Sequence, residues 1–313
     1  MPSPGKGART CCRRRPKAFD RAIGLVLACL AGLHSPSGAL DLRVSILASG
    51  SSGNAILVSS EETHLLVDAG ISARRVAAGA RAAGVDPDDL AAVVVTHEHS
   101  DHVSGLGPVA RRFGLPVYAT GGTHDGMRGR AGTIPQRVYI EPGREFRIGE
   151  LSVVPFVTSH DCAEPVGFSI ADSGGRLTVA TDLGLVSGAV RRHLRDSDCV
   201  VLEFNHDEQM LRTGAYPWRL KKRIASNVGH LSNVAAAAEI AALRDAPVAD
   251  LVLAHLSEEN NVPELAVAAA SEALSRGGRR DVEVHVAEQR SALGPIEVRA
   301  ANVAAYEVLR EGA

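Results

Sequence analysis

Short apolar runs separated by Gly, Pro, Ser and Asp turns recur from Leu42 onward, with spacing that alternates between strand-like and helix-like. Arg43–Ala48 and Asn54–Val58 read as strands around the Gly/Ser turn Ser49–Gly53, and Thr63–Val67 as a third ending in Asp68-Ala69-Gly70. Ser72–Ala83 has helical spacing, Ala91–Val95 is a continuous apolar run of the kind that buried strands show, and His102–Phe113 reads as a helix. Further strands are predicted at Val117–Ala119, Glu145–Ile148, Leu151–Val157, Val166–Ala171, Leu177–Ala180 and Val200–Glu203, with a helix around Ser187–Leu194. The last third is more helical: Pro217–Ser226, Leu231–Leu243 and Pro263–Arg276, with strands Leu251–Ala254 and Val282–Val286. Both halves mix strands and helices with no Pro/Ser linker between them, which predicts one α/β domain of two sheets packed between helices.

Charge changes the picture at one place. The 313 residues carry 34 basic and 36 acidic side chains, but residues 1–40 hold seven basic groups against Asp20 alone. The remainder carries 27 basic against 35 acidic groups, so a surface for a polyanion must be local and not a global field. Within 1–40, the apolar run Ala22–Leu33 follows the basic stretch and precedes the turn-forming His34–Ala39. That order is a signal-peptide pattern, and equally what translation from a start upstream of Leu40 would leave. In either case residues 1–40 are expected to lie outside the fold, and 41–313 to form a single domain. A cytoplasmic protein without stable membrane association is expected, an exported one if 1–40 acts as a signal. Cys11, Cys12 and Cys29 fall in the extension, and Cys162 and Cys199 stand alone, which excludes a disulfide framework and a cysteine-zinc cage.

The densest chemistry is Thr96-His97-Glu98-His99-Ser100-Asp101-His102, directly after the apolar run Ala91–Val95. Where a strand ends the backbone turns, so imidazoles two residues apart can converge, and neutral imidazole with carboxylate is what zinc, manganese or iron takes in catalytic sites. One turn cannot enclose two metals, so the other strand ends matter. His160 follows Leu151–Val157, Asp182 follows Leu177–Ala180, and His255 follows Leu251–Ala254. Each lies just past an apolar run, where α/β folds display ligands.

The order Asp68, His97-x-His99-x-Asp101-His102, His160, Asp182, His255 resembles the metallo-β-lactamase superfamily over about residues 42–290. The stretches SILASGSSGNAILV, LLVDAGIS, THEHSDHVSGLG, SHDCAEPVGFSI, LEFNHDEQML, YPWRLKKRI, GHLSN and LAHLSEENN are similar to its YycJ/WalJ branch. The resemblance implies an αββα four-layer sandwich, each half of the chain giving one sheet and its outer helices. It also implies a metal-dependent 5′-exonuclease in DNA processing. It assigns His97, His99 and His160 to one divalent ion, Asp101, His102 and His255 to a second, and Asp182 to both. Zinc is the first expectation for the metal, manganese the second. Asp68 is expected to orient a ligand without touching metal.

With two divalent ions, a water between them becomes the nucleophile, oriented in part by Asp101. A phosphodiester leaving group still needs a proton. His230, in the GHLSN stretch, is the candidate donor, because GHLSN…LAHLS resembles the arrangement in tRNA 3′-processing relatives; Glu203 and His206 are candidates to support it. Around the only tryptophan, Arg219, Lys221 and Lys222 form a basic stretch suited to a nucleic-acid backbone. Asn54, in the Gly/Ser turn whose amides suit a phosphate, and Asn260 complete the substrate-binding candidates. DNA is favoured over RNA as substrate, with an RNA-processing nuclease as an alternative. The rival on the same metal site is a small-molecule hydrolase of the lactonase, thioesterase or β-lactamase type, which lacks the GHLSN and YPWRLKKR elements. A non-catalytic metal-binding module is disfavoured by the complete ligand set.

Overall fold

The computed structural model describes residues 42–300; the N-terminal extension and its three cysteines lie outside the described residues. Strands β1 (Leu42–Ala48), β2 (Ala55–Ser59), β3 (His64–Val67), β4 (Leu90–Val94), β5 (Val117–Ala119) and β6 (Arg137–Tyr139) build one sheet. Strands β7 (Phe146–Ile148), β8 (Leu151–Val157), β9 (Val166–Ala171), β10 (Arg176–Ala180), β11 (Cys199–Glu203), β12 (Asp250–Ala254) and β13 (Glu283–Val286) build the other in reverse spatial order. The expectation of one sheet per half fails at one strand. β14 (Leu293–Val298) returns from the C-terminal half and pairs antiparallel with β1, with Leu42 opposite Val298 and Val44 opposite Ile296. Its Ile296 and Val298 join the core beside Val44 and Leu42, which gives the return an apolar reason.

Three apolar layers make four structural layers. Between the sheets lie Val44, Val58, Val67 and Val94 from the first and Phe168, Ile170, Val179 and Val201 from the second. Each such side chain taken fully out of water contributes about 1.5–3 kcal/mol. Outside the first sheet, α1 (Ala73–Ala82) and α3 (Leu106–Phe113) bury Val76, Ala80, Leu106 and Val109 against Leu57, Leu66 and Val93. Outside the second, α5 (Gly188–Arg195), α8 (Asn233–Ala241) and α9 (Pro263–Arg276) bury Leu194, Ile240 and Leu274 against Leu202 and Leu253. Ser72, Ser187 and Ser232 cap α1, α5 and α8 by accepting the backbone N–H three residues on.

The remaining helices shape one end of the sandwich. The predicted helix His102–Phe113 is two: α2 (Ser100–Val103) and α3, divided at Gly105. A Cβ on Gly105 would stand 1.8 Å from the Ile71 carbonyl oxygen, so only glycine permits that approach. Helices α4 (Gly121–Gly126), α6 (Glu208–Thr213) and α7 (Trp218–Ile224) complete the set. Strands β3 to β6 run parallel, as do β10 to β13. The C-terminal ends of β3, β4, β10 and β12 therefore carry Asp68, the 96–102 turn, Asp182 and His255 to one place.

Candidate metal centre

Asp68, Asp182 and His255 are the only non-glycine residues with positive φ among the described residues, at 61°, 57° and 56°. Asp68 and His255 directly follow their strands, and Asp182 follows its strand after Thr181. The left-handed conformation costs an ordinary side chain energy, and the packed strands on either side hold it there so that the side chain points back across the strand end.

Two clusters of donor atoms result. His97 Nε2 lies 3.1 Å from His99 Nδ1, and His160 Nε2 lies 3.2 Å from the same atom. Tetrahedral nitrogen ligands at zinc distances sit about 3.3 Å apart. In the second cluster, Asp101 Oδ2 lies 3.3 Å from His102 Nε2 and 3.4 Å from His255 Nε2. Asp182 reaches both: Oδ1 is 3.8 Å from His160 Nε2 and 3.5 Å from His255 Nε2, and Oδ2 is 3.3 Å from His102 Nε2. Asp182 Oδ2 is buried and makes no hydrogen bond. An ionised oxygen in that position needs a cation, and the donor set suits a divalent metal.

The far nitrogens of four of the five rings face protein groups. His102 Nδ1–H faces Asp68 Oδ2 at 2.8 Å, while Asp68 also accepts from the Thr96 amide and hydroxyl, each at 2.8 Å. His160 Nδ1 faces the Gly229 carbonyl at 2.9 Å, and His97 Nδ1 faces the Thr96 hydroxyl at 3.0 Å. Asn205, which sequence reasoning missed, donates to the His255 carbonyl at 2.9 Å and has its amide nitrogen 3.2 Å from His255 Nδ1. Its signal was the one already used elsewhere: a polar residue just past an apolar run.

Electrostatics divides the histidines. Burial and the neighbouring His102 hold His97 well below the usual imidazole value, and burial with His160 lowers His99. Burial opposes charge on His102 too, but Asp182, Asp101 and Asp68 outweigh it and raise that pKa well above the ordinary one. His255 behaves alike, raised to about 9 by Asp182 and Asp101 against its burial. Asp101 and Asp182 are correspondingly depressed, against their burial, by His102 and His255.

A cavity of about 590 Å³ opens on these groups, reached by His99, Asp101, Asp182 and His255 and by His230. His230 Nδ1 lies 2.7 Å from Glu203 Oε1, and Glu203 is fully buried, its second oxygen accepting from the Leu183 amide at 2.8 Å. The pair sets Nδ1 as the protonated nitrogen and leaves Nε2 for the cavity. His206 is buried, and its Nδ1 has no partner.

The profile of the beta-lactamase superfamily domain matches residues 63–256. Exodeoxyribonuclease YycJ of Bacillus anthracis is 40% identical over 241 residues, covering 76% of this chain and 91% of that protein. The chain belongs to the metallo-β-lactamase superfamily. Within it the chain is YycJ/WalJ-like: Exodeoxyribonuclease WalJ of Streptococcus pneumoniae serotype 2 is 36% identical, covering 72% of this chain and 86% of that protein. Among solved structures, the metallo-beta-lactamase fold protein YhfI of Bacillus subtilis superposes with a TM-score of 0.61 at 18% identity, over 81% of this chain and 99% of that one. That likeness supports the αββα sandwich.

In this metallo-β-lactamase fold the seven ligand candidates converge, while the substrate-binding candidates disperse. Asn54 is buried beneath the site; its amide nitrogen lies 3.3 Å from Asp101 Oδ2, and its Oδ1 accepts from Gly50 N. Three other amides of the Gly/Ser turn are engaged: Ser52 N donates to Gln289 Oε1, Ser49 N to Glu288 O and Gly53 N to Gly50 O. The turn also supports His255, whose amide donates to Ser49 Oγ, and its Ser51 lines the cavity. Asn260 is buried. Lys221 Nζ donates to the carbonyls of Arg212 and Gly214, joining α6 to α7. Arg219 is exposed, and the Lys222 ammonium lies 5.5 Å from the ring centre of Trp218, itself 68% exposed.

Proposed function

We propose that this chain is a dinuclear, metal-dependent phosphodiesterase, a 5′-exonuclease acting on DNA, with zinc as the expected metal and manganese as the alternative. Support comes from the exodeoxyribonuclease names of its 36–40% identical relatives. The observation that carries the reading is the Glu203-held His230 beside the two donor clusters. A phosphodiester expels an alkoxide that needs a proton, whereas the carbonyl chemistry of the small-molecule rivals does not require a separate donor there.

His97, His99 and His160 would hold one ion, Asp101, His102 and His255 the other, and Asp182 both. Divalent metal at this site supplies the positive charge and the water-activating chemistry that phosphodiester hydrolysis needs. The protein's own part is positioning. Asp68, Gly229 O and Asn205 fix the ring planes, and Asp101 orients the attacking water. His230 Nε2–H gives its proton to the departing 3′-oxygen while Glu203 stabilises the imidazolium.

Incubating metal-loaded protein with 5′- and 3′-labelled duplex and single-stranded DNA, RNA and nitrocefin tests the reading. Release of mononucleotides from 5′ ends of DNA is expected; preferential cleavage of RNA or of nitrocefin would replace it. Residues 41–313 are proposed as the whole catalytic domain, working in the cytoplasm. A chain beginning at Leu40 should keep full activity, and loss of metal from it would place the extension inside the domain. Among the described residues no helix is long and apolar enough to cross a membrane.

A further inference from the structure

The basic stretch that the sequence singles out is largely committed elsewhere. Lys221 is bound to carbonyls, Arg212 to Gln209, and Lys222 lies against Trp218. The cations that line the cavity are Arg223, the last basic residue of that stretch, and Arg130, far from it in sequence. Arg223, on the last turn of α7, gives Nε and Nη2 to the two oxygens of Asp161 at 2.5 and 2.7 Å. That two-point bond fixes the guanidinium plane and leaves Nη1 uncommitted. Arg130 stands in the loop after α4. Its backbone is anchored by buried Met127 and Ala131, and the amides of Arg130 and Ala131 donate to Met127 O at 3.0 and 3.1 Å. Its side chain makes no hydrogen bond or ion pair among the described residues, whereas nearby Arg128 is paired with Asp125 at 2.7 Å.

We infer that Arg130 and Arg223 form a clamp for a backbone phosphate adjacent to the one being cleaved, with Asp161 as the positioning residue for Arg223. The inference rests on the nuclease reading above. The charge of the scissile phosphate is met by the donor clusters and His230. Two further guanidinium groups on the same cavity therefore call for a second anion, and a planar, always-charged fork matches phosphate oxygens better than an ammonium does. One phosphate clamped and the next under attack makes the site selective for a strand over an isolated diester. Arg130 comes from the first half of the chain and Arg223 from the second, so the clamp depends on the two halves being assembled.

The test is fluorescence anisotropy of the metal-loaded protein with a short labelled single-stranded DNA whose phosphorothioate linkages resist cleavage, titrated against NaCl. Arg130→Ala and Arg223→Ala should each weaken binding about tenfold and lower the slope of log K against log salt by about 0.7, one phosphate contact on a single strand. Arg128→Ala should leave slope and affinity unchanged. Asp161→Asn should weaken binding less than Arg223→Ala, and add nothing in the Arg223→Ala background, because it acts through that residue. Melting temperature and metal content of each variant exclude unfolding as the cause. Wild-type binding with an unchanged slope in both arginine variants overturns the clamp and leaves the nuclease reading standing. Absence of wild-type binding together with absence of DNA cleavage overturns both.

Discussion

The two ends of the sandwich each hold a carboxylate among the turns, half-buried Glu150 at one and buried Asp182 at the other, and they treat it differently. At the end remote from the cavity, Glu150 in the β7–β8 turn accepts from the hydroxyls of Ser60 and Thr63 and from the Glu62 amide, in the β2–β3 turn. Both of its oxygens have donors, and it clasps one sheet to the other. At the cavity end, Asp182 sits among imidazoles, with Oδ2 buried and without a hydrogen bond. Glu150 leaves an ordinary turn, whereas Asp182 is held at φ 57°. A carboxylate whose lone pairs are filled by the protein contributes to stability. One left unfilled, in a strained backbone that the fold must hold in place, is kept for a ligand.

If that contrast is right, the largest effect should come from Asp182→Ala. Both donor clusters lose a shared oxygen, so metal content should fall from about two per chain and kcat by about 10⁴-fold or more, as expected when a group acting as a unit with others is removed. Elemental analysis beside kinetics checks it; a single tight ion unaffected by the change would refute sharing. His230→Ala comes next. It should keep its metals and fold yet slow DNA cleavage by about 10²–10⁴-fold. The loss should shrink on a p-nitrophenyl phosphodiester, whose leaving group departs without a proton, and equal losses on both substrates would remove His230 as the acid.

The strand-end chemistry was legible in the sequence because it is local. An apolar run predicts a strand, and the polar residue after it inherits a fixed position; His97, His160, Asp182 and His255 all follow that rule. What was not legible depends on contacts far along the chain. β14 carries Gly294 and Pro295 within a six-residue run and is a strand because β1 lies open to it. α4 has two glycines at its start and is held by its Thr120 cap and by Glu164, whose carboxylate accepts from Gly122 N. The chain shows six basic or aromatic residues in YPWRLKKR but not which of them face the cavity; Arg223 does, and Lys221 turns back to cap α6. Arg130 had no sequence pattern at all, because its role is set by the loop that Met127 and Ala131 anchor.

A smaller change sharpens the contrast from the cavity end. Asn tolerates the left-handed conformation that Asp68 adopts, so Asp68→Asn keeps the backbone and alters only the acceptor for His102 Nδ1–H and Thr96. Metal affinity should fall about 10–100-fold, with little loss of stability in the metal-free protein. Competition with a chelator measures it, and an unchanged affinity would mean that His102 is oriented without Asp68.

The smallest effect belongs to the remote end, and its pH dependence distinguishes a clasp from a site. Hydrogen bonds from Ser60 and Thr63 outweigh the burial of Glu150 and bring its carboxyl down to about 2, from an ordinary value of 4.5. A folded-state pKa below the unfolded one stabilises the fold above the unfolded value, and that stability is lost as pH falls through the folded value. Glu150→Gln should therefore lower unfolding free energy at neutral pH, by about 1 kcal/mol once screening by water is allowed for. The gap between variant and wild type should hold from pH 7 down to about 4.5, shrink between 4.5 and 2, and close below that. Activity and metal content per folded molecule should not change, since Glu150 touches the β2–β3 turn and nothing at the cavity. Urea titrations at several pH values measure the gap. A gap that stays constant to the lowest pH at which both proteins fold would show that packing, and not the ionised carboxylate, holds the two turns together.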